Sequence, residues 1–180
     1  MRKFEAVKDK MKKVQAYKEG EEVVLPLRST KTSAGYDFYA TEDMIIRPQE
    51  KLTIATDVKV KMNKDEFLLM VVRSSKGIKD DLILANTIGV IDSDYYSNAD
   101  NDGNIHICLR NLRPSMKLNG YTPISVYVKV PEIEDLTEQN TVFIPKGERV
   151  VQGIFVKYST ADNCNSEEDR NGGIGSTDKK

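Results

Sequence analysis

A single histidine, His106, stands among 180 residues, which rules out a site built from several imidazoles and any mechanism that needs two. Two cysteines, Cys108 and Cys164, are too few for a disulfide framework and read as the reduced thiols of a cytoplasmic protein. No apolar run approaches the roughly 18 residues that span a bilayer. The opening Met1-Arg2-Lys3-Phe4-Glu5 lacks the apolar stretch of a secretory leader. A surplus of either charge is also missing: 27 Lys and Arg against 28 Asp and Glu leave a net charge of −1. A general binder of nucleic acid or of anionic membrane carries a basic excess, so neither partner is expected. A small phosphate-bearing ligand needs only a local group of cations. No segment repeats, and the length suits one domain.

What the chain does have is short apolar runs divided by turn residues. Met44-Ile45-Ile46 ends at Arg47-Pro48, and Leu52-Thr53-Ile54 follows. Val58, Val60 and Met62 alternate with Lys59 and Lys61, the period of two of a half-exposed strand. Phe67 to Val72 reads as a buried strand, and Leu82–Ala85, Ile105–Leu109, Ile124–Val130, Thr141–Ile144 and Val150–Lys157 complete the set. The pattern predicts an all-β sandwich or barrel. The first 20 residues differ. Phe4, Val7, Met11, Val14 and Tyr17 recur at helical spacing and predict a short helix over Lys8–Tyr17, with Phe4–Val7 equally able to start as a strand. Asn163–Lys180 is polar and glycine-rich, without a core pattern.

Chemistry concentrates in five segments. Gly89-Val90-Ile91-Asp92-Ser93-Asp94-Tyr95, preceded by Asn86, runs an apolar strand into a turn with two acids and a tyrosine. That combination suits a carboxylate activating water beside a flat sugar or base. Upstream are Ser33-Ala34-Gly35-Tyr36-Asp37 and Arg73-Ser74-Ser75-Lys76-Gly77; downstream are Gly147-Glu148-Arg149-Val150-Val151-Gln152 and Arg170-Asn171-Gly172-Gly173-Ile174-Gly175-Ser176-Thr177. Because Arg73-Ser74-Ser75 follows a strand, its amides, the Ser74 hydroxyl and the Arg73 guanidinium can cradle phosphate. The last segment is not a Walker A loop, since no lysine precedes Ser176.

In this order the five segments resemble the five motifs of the trimeric dUTPase family, bacterial or phage type, from about Leu25 to Thr177. The resemblance implies a distorted jelly roll of the β-clip kind with a short N-terminal helix. It implies one domain over residues 1–162 and a glycine-rich arm, 163–180, that closes over an active site. The implied reaction is hydrolysis of dUTP to dUMP and diphosphate by water attack on the α-phosphorus. That reaction limits uracil in DNA and supplies dUMP for dTMP synthesis. Asp92 is the implied base. Tyr95 lies against the deoxyribose and excludes a 2′-hydroxyl, since a ring face cannot satisfy a buried hydroxyl. Asn86 meets the amide-like edge of uracil with a donor and an acceptor. Arg73, Ser74, Ser75 and Gln152 face the phosphates, with Arg149 either there or at a subunit interface. From the arm, Arg170, Gly175, Ser176 and Thr177 reach the outer phosphates in a neighbouring subunit of a homotrimer. Mg2+ is implied by the triphosphate, carried by phosphate oxygens and waters, with Asp37 holding one such water and no residue as a direct ligand.

Three features depart from the family pattern. Ile174 replaces the aromatic that stacks on uracil, one residue closer to the arginine than usual, and Tyr96 is a candidate replacement. Tyr96–Asn104 is longer than the usual turn; the twelfth position counted from Asn98 is Leu109, where a calcium loop needs glutamate, so a long turn is expected and calcium is not. Residues 113–140 interrupt the third and fourth motifs, which predicts an extra hairpin or arm, with Glu132-Ile133-Glu134-Asp135 as a connection, and a candidate surface for a protein partner. Two other functions stay open. A dCTP deaminase shares the fold and an Arg-Ser-Ser segment but tends to have Pro-Gly-Phe where Ser93-Asp94-Tyr95 stands. A dUTPase-like protein can also act as a nucleotide-gated regulatory binding module.

Overall fold

The computed structural model describes residues 1–123 and 129–163. The strands are β1 (Lys3–Ala6), β2 (Leu27–Arg28), β3 (Tyr36–Tyr39), β4 (Met44–Ile46), β5 (Lys51–Ala55), β6 (Val58–Lys61), β7 (Glu66–Val72), β8 (Leu82–Leu84), β9 (Gly89–Asp92), β10 (His106–Asn111), β11 (Met116–Pro123), β12 (Lys129–Asp135), β13 (Val142–Ile144) and β14 (Arg149–Lys157). Two short helices interrupt them, α1 (Gln15–Lys18) and α2 (Ser74–Asp80). The largest sheet has the order β2-β3-β14-β7-β9, and a three-stranded sheet, β5-β10-β8, forms the second layer. Pairs β1-β6, β13-β4 and β11-β12 complete the described architecture, and every pairing is antiparallel. This is the all-β organisation expected from the strand spacing, of the jelly-roll type that the resemblance implies. No helix among the described residues is long and apolar enough to cross a membrane.

Alternation decides which face of the large sheet is inside. Leu68 and Met70 of β7 are buried with Phe38, Val150 and Val151, beside Ile54, Ile107, Leu109, Leu82 and Leu84 from the three-stranded sheet. The other face is also apolar. Phe67, Leu69 and Val71 point there, so β7 alternates where its unbroken apolar run predicts burial on both sides. Register places Val90 and Ile154 beside Leu69, Asp92 and Val156 beside Phe67, and Gln152 between Val71 and Asp37. Cross-strand neighbours share a face. Asp92, Gln152 and Asp37 therefore lie on one side of this sheet, with an apolar field between them.

The N-terminal segment departs from the predicted helix. Phe4 is in β1, opposite Val60, and Asp9–Met11 makes only a 3-10 turn before the chain extends at Lys12 and enters α1. The reason is a competing acceptor. The Asp57 carboxylate accepts the amides of Lys13, at 2.8 Å, and Val14, at 2.8 Å, which a continuous helix would have to use internally. Val7, Val14 and Tyr17 still face inward as their spacing indicates. The extra arm is a hairpin of β11 and β12, paired from Met116–Asp135 to Pro123–Lys129. Glu132–Asp135, expected as a connection, is part of β12, while most of the strand expected over Ile124–Val130 lies outside the described residues.

Candidate active site

Two groups of polar side chains stand out. The first lines a cavity of about 550 Å³ at the open β9 edge of the large sheet, where it meets the three-stranded sheet. Asn86, Asp92 and Tyr95 share this cavity with Thr53, His106 and Cys108. Asn86 lies in the turn between β8 and β9, whose amides are satisfied locally by Thr87 N–H to the Leu84 carbonyl and Ile88 N–H to the Asn86 carbonyl. Asp92 ends β9 and is exposed, and Tyr95 closes the 3-10 turn that follows. The Tyr95 ring is buried. Its hydroxyl donates to the Asn104 carbonyl at 3.1 Å and accepts from Asn101 Nδ2 at 2.7 Å.

The loop carrying those partners is the long turn expected over Tyr96–Asn104. Asn98 Oδ1 caps the amides of Asp100 and Asn101, and Asn101 Oδ1 caps that of Gly103. Gly103 has φ +83°, and a Cβ there would lie 2.8 Å from the Tyr95 carbonyl oxygen, so only glycine lets the turn close under the tyrosine. Tyr96 points elsewhere: its hydroxyl bonds Glu5, and Lys59 Nζ lies 5.1 Å from its ring centroid. It does not line the cavity, which leaves its candidacy for stacking on the base without support from this chain's own pocket.

The second group surrounds Asp37 on β3. Its carboxylate is almost fully buried and accepts from Ser29 Oγ at 2.5 Å and Gln152 Nε2 at 2.9 Å, with Arg73 Nε at 3.5 Å and Arg149 at 3.4 Å. Burial pushes this carboxyl up, but the Ser29 and Gln152 hydrogen bonds and the two guanidinium charges outweigh it and hold it below the usual range. Gly35 approaches the same amide, and a Cβ there would lie 3.0 Å from the Gln152 side chain. Ser74 and Ser75 open α2 directly after Arg73, where the Arg73 carbonyl accepts the Lys76 and Gly77 amides. Lys76 is buried between Glu148 at 2.5 Å and Asp80 at 3.0 Å. Burial lowers its pKa, yet the two carboxylates raise it on balance and tie α2 to the turn before β14.

The fold thus brings Asn86, Asp92 and Tyr95 together, and separately gathers Asp37, Arg73, Ser74, Ser75, Gln152 and Arg149. Arg170, Gly175, Ser176 and Thr177 lie outside the described residues, as does Ile174. Sequence reasoning missed Ser29, the Lys76–Glu148 link and the asparagines behind Tyr95. Ser29 lies eight residues from Asp37 with nothing in the pattern to single it out.

A cavity of about 550 Å³ that carries a carboxylate, and a second cluster that holds two arginines, sit on one jelly roll, the two kinds of group that a nucleotide phosphohydrolase of the all-β class needs. A sequence model of the dUTPase family matches residues 21–125. The deoxyuridine 5'-triphosphate nucleotidohydrolase of Lactococcus lactis is 39% identical over 155 residues, covering 85% of this chain and 87% of the relative. The crystal structure of dUTPase from Streptococcus mutans superposes with a TM-score of 0.64 at 31% identity, covering 89% and 98%. The dUTPase from phage phi11 of S. aureus, a structure described as visualising a species-specific insert, gives 0.63 at 26% identity, covering 93% and 97%. The chain belongs to the dUTPase family, and its activity is that of a dUTP diphosphatase, hydrolysing dUTP to dUMP. The deaminase alternative finds no support among these relatives.

Proposed function

We propose that hydrolysis proceeds by attack of water on the α-phosphorus, with Asp92 orienting and deprotonating that water in a site completed between copies of a homotrimer. One observation carries this reading. Asp92 shares a sheet face with Gln152 and Asp37 but stands two strands from the first and three from the second, four residues along in register, roughly 17 and 20 Å by strand spacing and rise. Reacting atoms need to be within about 3.5 Å, so one chain cannot apply both groups to one phosphate. The apolar field between them, with Val90 half-exposed beside Leu69 and Ile154, is the kind of surface a second copy covers.

Within such a site Asn86 reads the uracil edge and Tyr95 excludes the 2′-hydroxyl. Arg73, Ser74, Ser75 and Gln152 hold the phosphates, and residues 163–180, with Arg170, Gly175, Ser176 and Thr177, close over them. No cluster of three or more His, Cys, Asp or Glu able to hold a metal occurs among the described residues. Magnesium enters as part of the substrate, carried by the triphosphate oxygens and waters, where it neutralises phosphate charge. Asp37 already accepts three hydrogen bonds and pairs with the Arg73 guanidinium, so a metal-bound water reaches it only in exchange for one of these. Its first task is to hold Arg73 and Gln152 in place. The enzyme works in the cytoplasm, consistent with its two cysteines and its nucleotide substrate. The arm around 113–140 is an accessory surface for a protein partner, supported by exposed Met116, Leu118 and Ile133 on its hairpin.

Mixed assemblies test the shared site. Asp92→Asn and Gln152→Ala chains, each impaired alone, are co-expressed and assayed for diphosphate release from dUTP. Shared sites restore up to about a quarter of wild-type activity, because that fraction of interfaces joins two intact halves. A mixture no better than its parents removes the intersubunit site. A panel of dUTP, dCTP, dTTP and UTP checks the substrate.

A further inference from the structure

We propose that Asn101 is a positioning residue that fixes the Tyr95 ring in the pocket and thereby sets discrimination between deoxyribose and ribose; this rests on the reading that Tyr95 faces the sugar. Tyr95 ends a one-turn 3-10 segment, whose hydrogen-bond geometry is poorer than that of an α-helix. The hydroxyl tether supplies what the backbone lacks. Asn101 Nδ2 donates to Tyr95 Oη at 2.7 Å, and Oη donates on to the Asn104 carbonyl at 3.1 Å. Asn101 is itself immobilised, since its Oδ1 accepts from Gly103 N at 3.0 Å and from Asn98 Nδ2 at 2.8 Å. Asn98 Nδ2 also returns to the Tyr95 carbonyl at 2.9 Å, so the loop grips the tyrosine at both ends.

The far side of the loop is anchored to the N-terminal segment. Asn104 and Asp57 exchange two bonds, Asp57 N to Asn104 Oδ1 at 3.0 Å and Asn104 Nδ2 to Asp57 Oδ1 at 2.6 Å. Asp57 in turn holds the amides of Lys13 and Val14, while Asp102 holds the Lys8 amide and Lys59 Nζ, both at 2.8 Å. Burial pushes the Asp102 carboxyl up, and the Lys59 and Lys8 contacts bring it below the usual range, so it stays ionised and bonded. The Asn104 carbonyl that receives the tyrosine hydroxyl is therefore a fixed point. A ring held at both its backbone and its hydroxyl cannot retreat to admit a 2′-hydroxyl, whereas a ring free to tilt can. Sugar selectivity then depends on the loop behind the tyrosine as well as on the tyrosine.

The test compares kcat/KM for dUTP and UTP in wild type, Tyr95→Ala, Tyr95→Phe, Asn101→Ala and the Tyr95→Phe/Asn101→Ala double variant. A loop of purely structural importance changes stability or total activity without moving the dUTP-to-UTP ratio. The expected result is a fall in that ratio of about tenfold for Asn101→Ala and for Tyr95→Phe, with no further fall in the double variant. Tyr95→Phe keeps the ring and its packing, so it reads the tether even where Asn101→Ala fails to fold. A ratio within about twofold of wild type in Tyr95→Phe, beside a clear drop in Tyr95→Ala, overturns the positioning role and leaves the sugar contact standing. An unchanged ratio in Tyr95→Ala removes the sugar contact itself, and the inference with it.

Discussion

Asp57→Ala removes a buried carboxylate on which three donors depend. Asp57 is fully buried, and its carboxylate accepts from Lys13 N, Val14 N and Asn104 Nδ2. Alanine leaves three donors without acceptors, at about 1–3 kcal/mol for each that stays dry. Asp57 also has φ +55°, the left-handed region, where Asp is tolerated and alanine costs about 1 kcal/mol more. Relief from desolvating a carboxylate, and water entering the gap, offset part of this. A net loss of about 4 kcal/mol follows, or roughly 10 °C in thermal midpoint for a chain of this size. Asp57→Asn keeps the turn and one acceptor but sets an amide against donors, so about half that loss is expected.

Urea unfolding at several fixed protein concentrations measures the loss, since assembly adds its own concentration-dependent term. A thermodynamic cycle with a chain lacking residues 1–14 isolates the cause. Without Lys13 and Val14 to bind, Asp57→Ala should cost at most about half as much. A loss under about 1 kcal/mol in the full chain, or equal losses in both backgrounds, refutes the claim that Asp57 works by holding the N-terminal segment.

Asp92→Asn should leave a folded protein that binds dUTP but turns over about a hundredfold more slowly, the size typical of a lost general base, and near-normal diphosphate release takes Asp92 out of the mechanism. Glu66 is held at about 2 by the Arg2 guanidinium, against burial that pushes it up, with the Asn63 amide assisting. A carboxyl depressed in the folded state gives stability that is full above its ordinary value near 4.5 and is lost as pH falls towards 2. Arg2→Ala should therefore narrow the gap between midpoints measured at pH 6 and pH 3, and an unchanged gap means that the pair is not what acid breaks. A stop after Glu168 should keep the thermal midpoint and abolish most dUTP hydrolysis, and a large drop in midpoint assigns the tail to the fold instead.

What was legible in the sequence was mostly local. Met44–Ile46 closes at Arg47-Pro48 and is β4 as expected, and the run from Val58 to Lys61 is β6, but Lys59, expected to face solvent, is buried by its ion pair with Asp102. Asn86, Asp92 and Tyr95 fall within ten residues of one another on a strand and its turns, so their shared cavity follows from chain proximity. The Asp37–Gln152 bond joins residues 115 apart, and it depends on β3–β14 register that no single-strand pattern specifies. Motif resemblance marked both residues as functional but not as partners. The predicted helix over Lys8–Tyr17 failed for the same kind of reason: its apolar spacing was correct, and a carboxylate more than forty residues away took the amides.

The arm offers a case where the structure makes a deletion easy to design. Its hairpin begins above a clasp: Leu136 N donates to the Ser115 carbonyl at 2.8 Å, Asn140 Nδ2 to the Pro114 carbonyl at 2.9 Å, and buried Asn111 reaches the Asn140 and Ile46 carbonyls. Cutting inside the clasp preserves the path from β10 to β13. Met116 pairs with Asp135, so replacing residues 117–134 with Asn-Gly joins two paired positions through the turn such a short hairpin prefers. Apolar burial counts only for surface removed from water, and Leu118 and Ile133 are already 54% and 58% exposed. None of the arm's described side chains belongs to the buried core. The shortened enzyme should hydrolyse dUTP within about twofold of wild type and unfold within a few degrees of it. An insoluble or monomeric product would show that the arm serves the core or the assembly, and would withdraw the case for it as a partner surface.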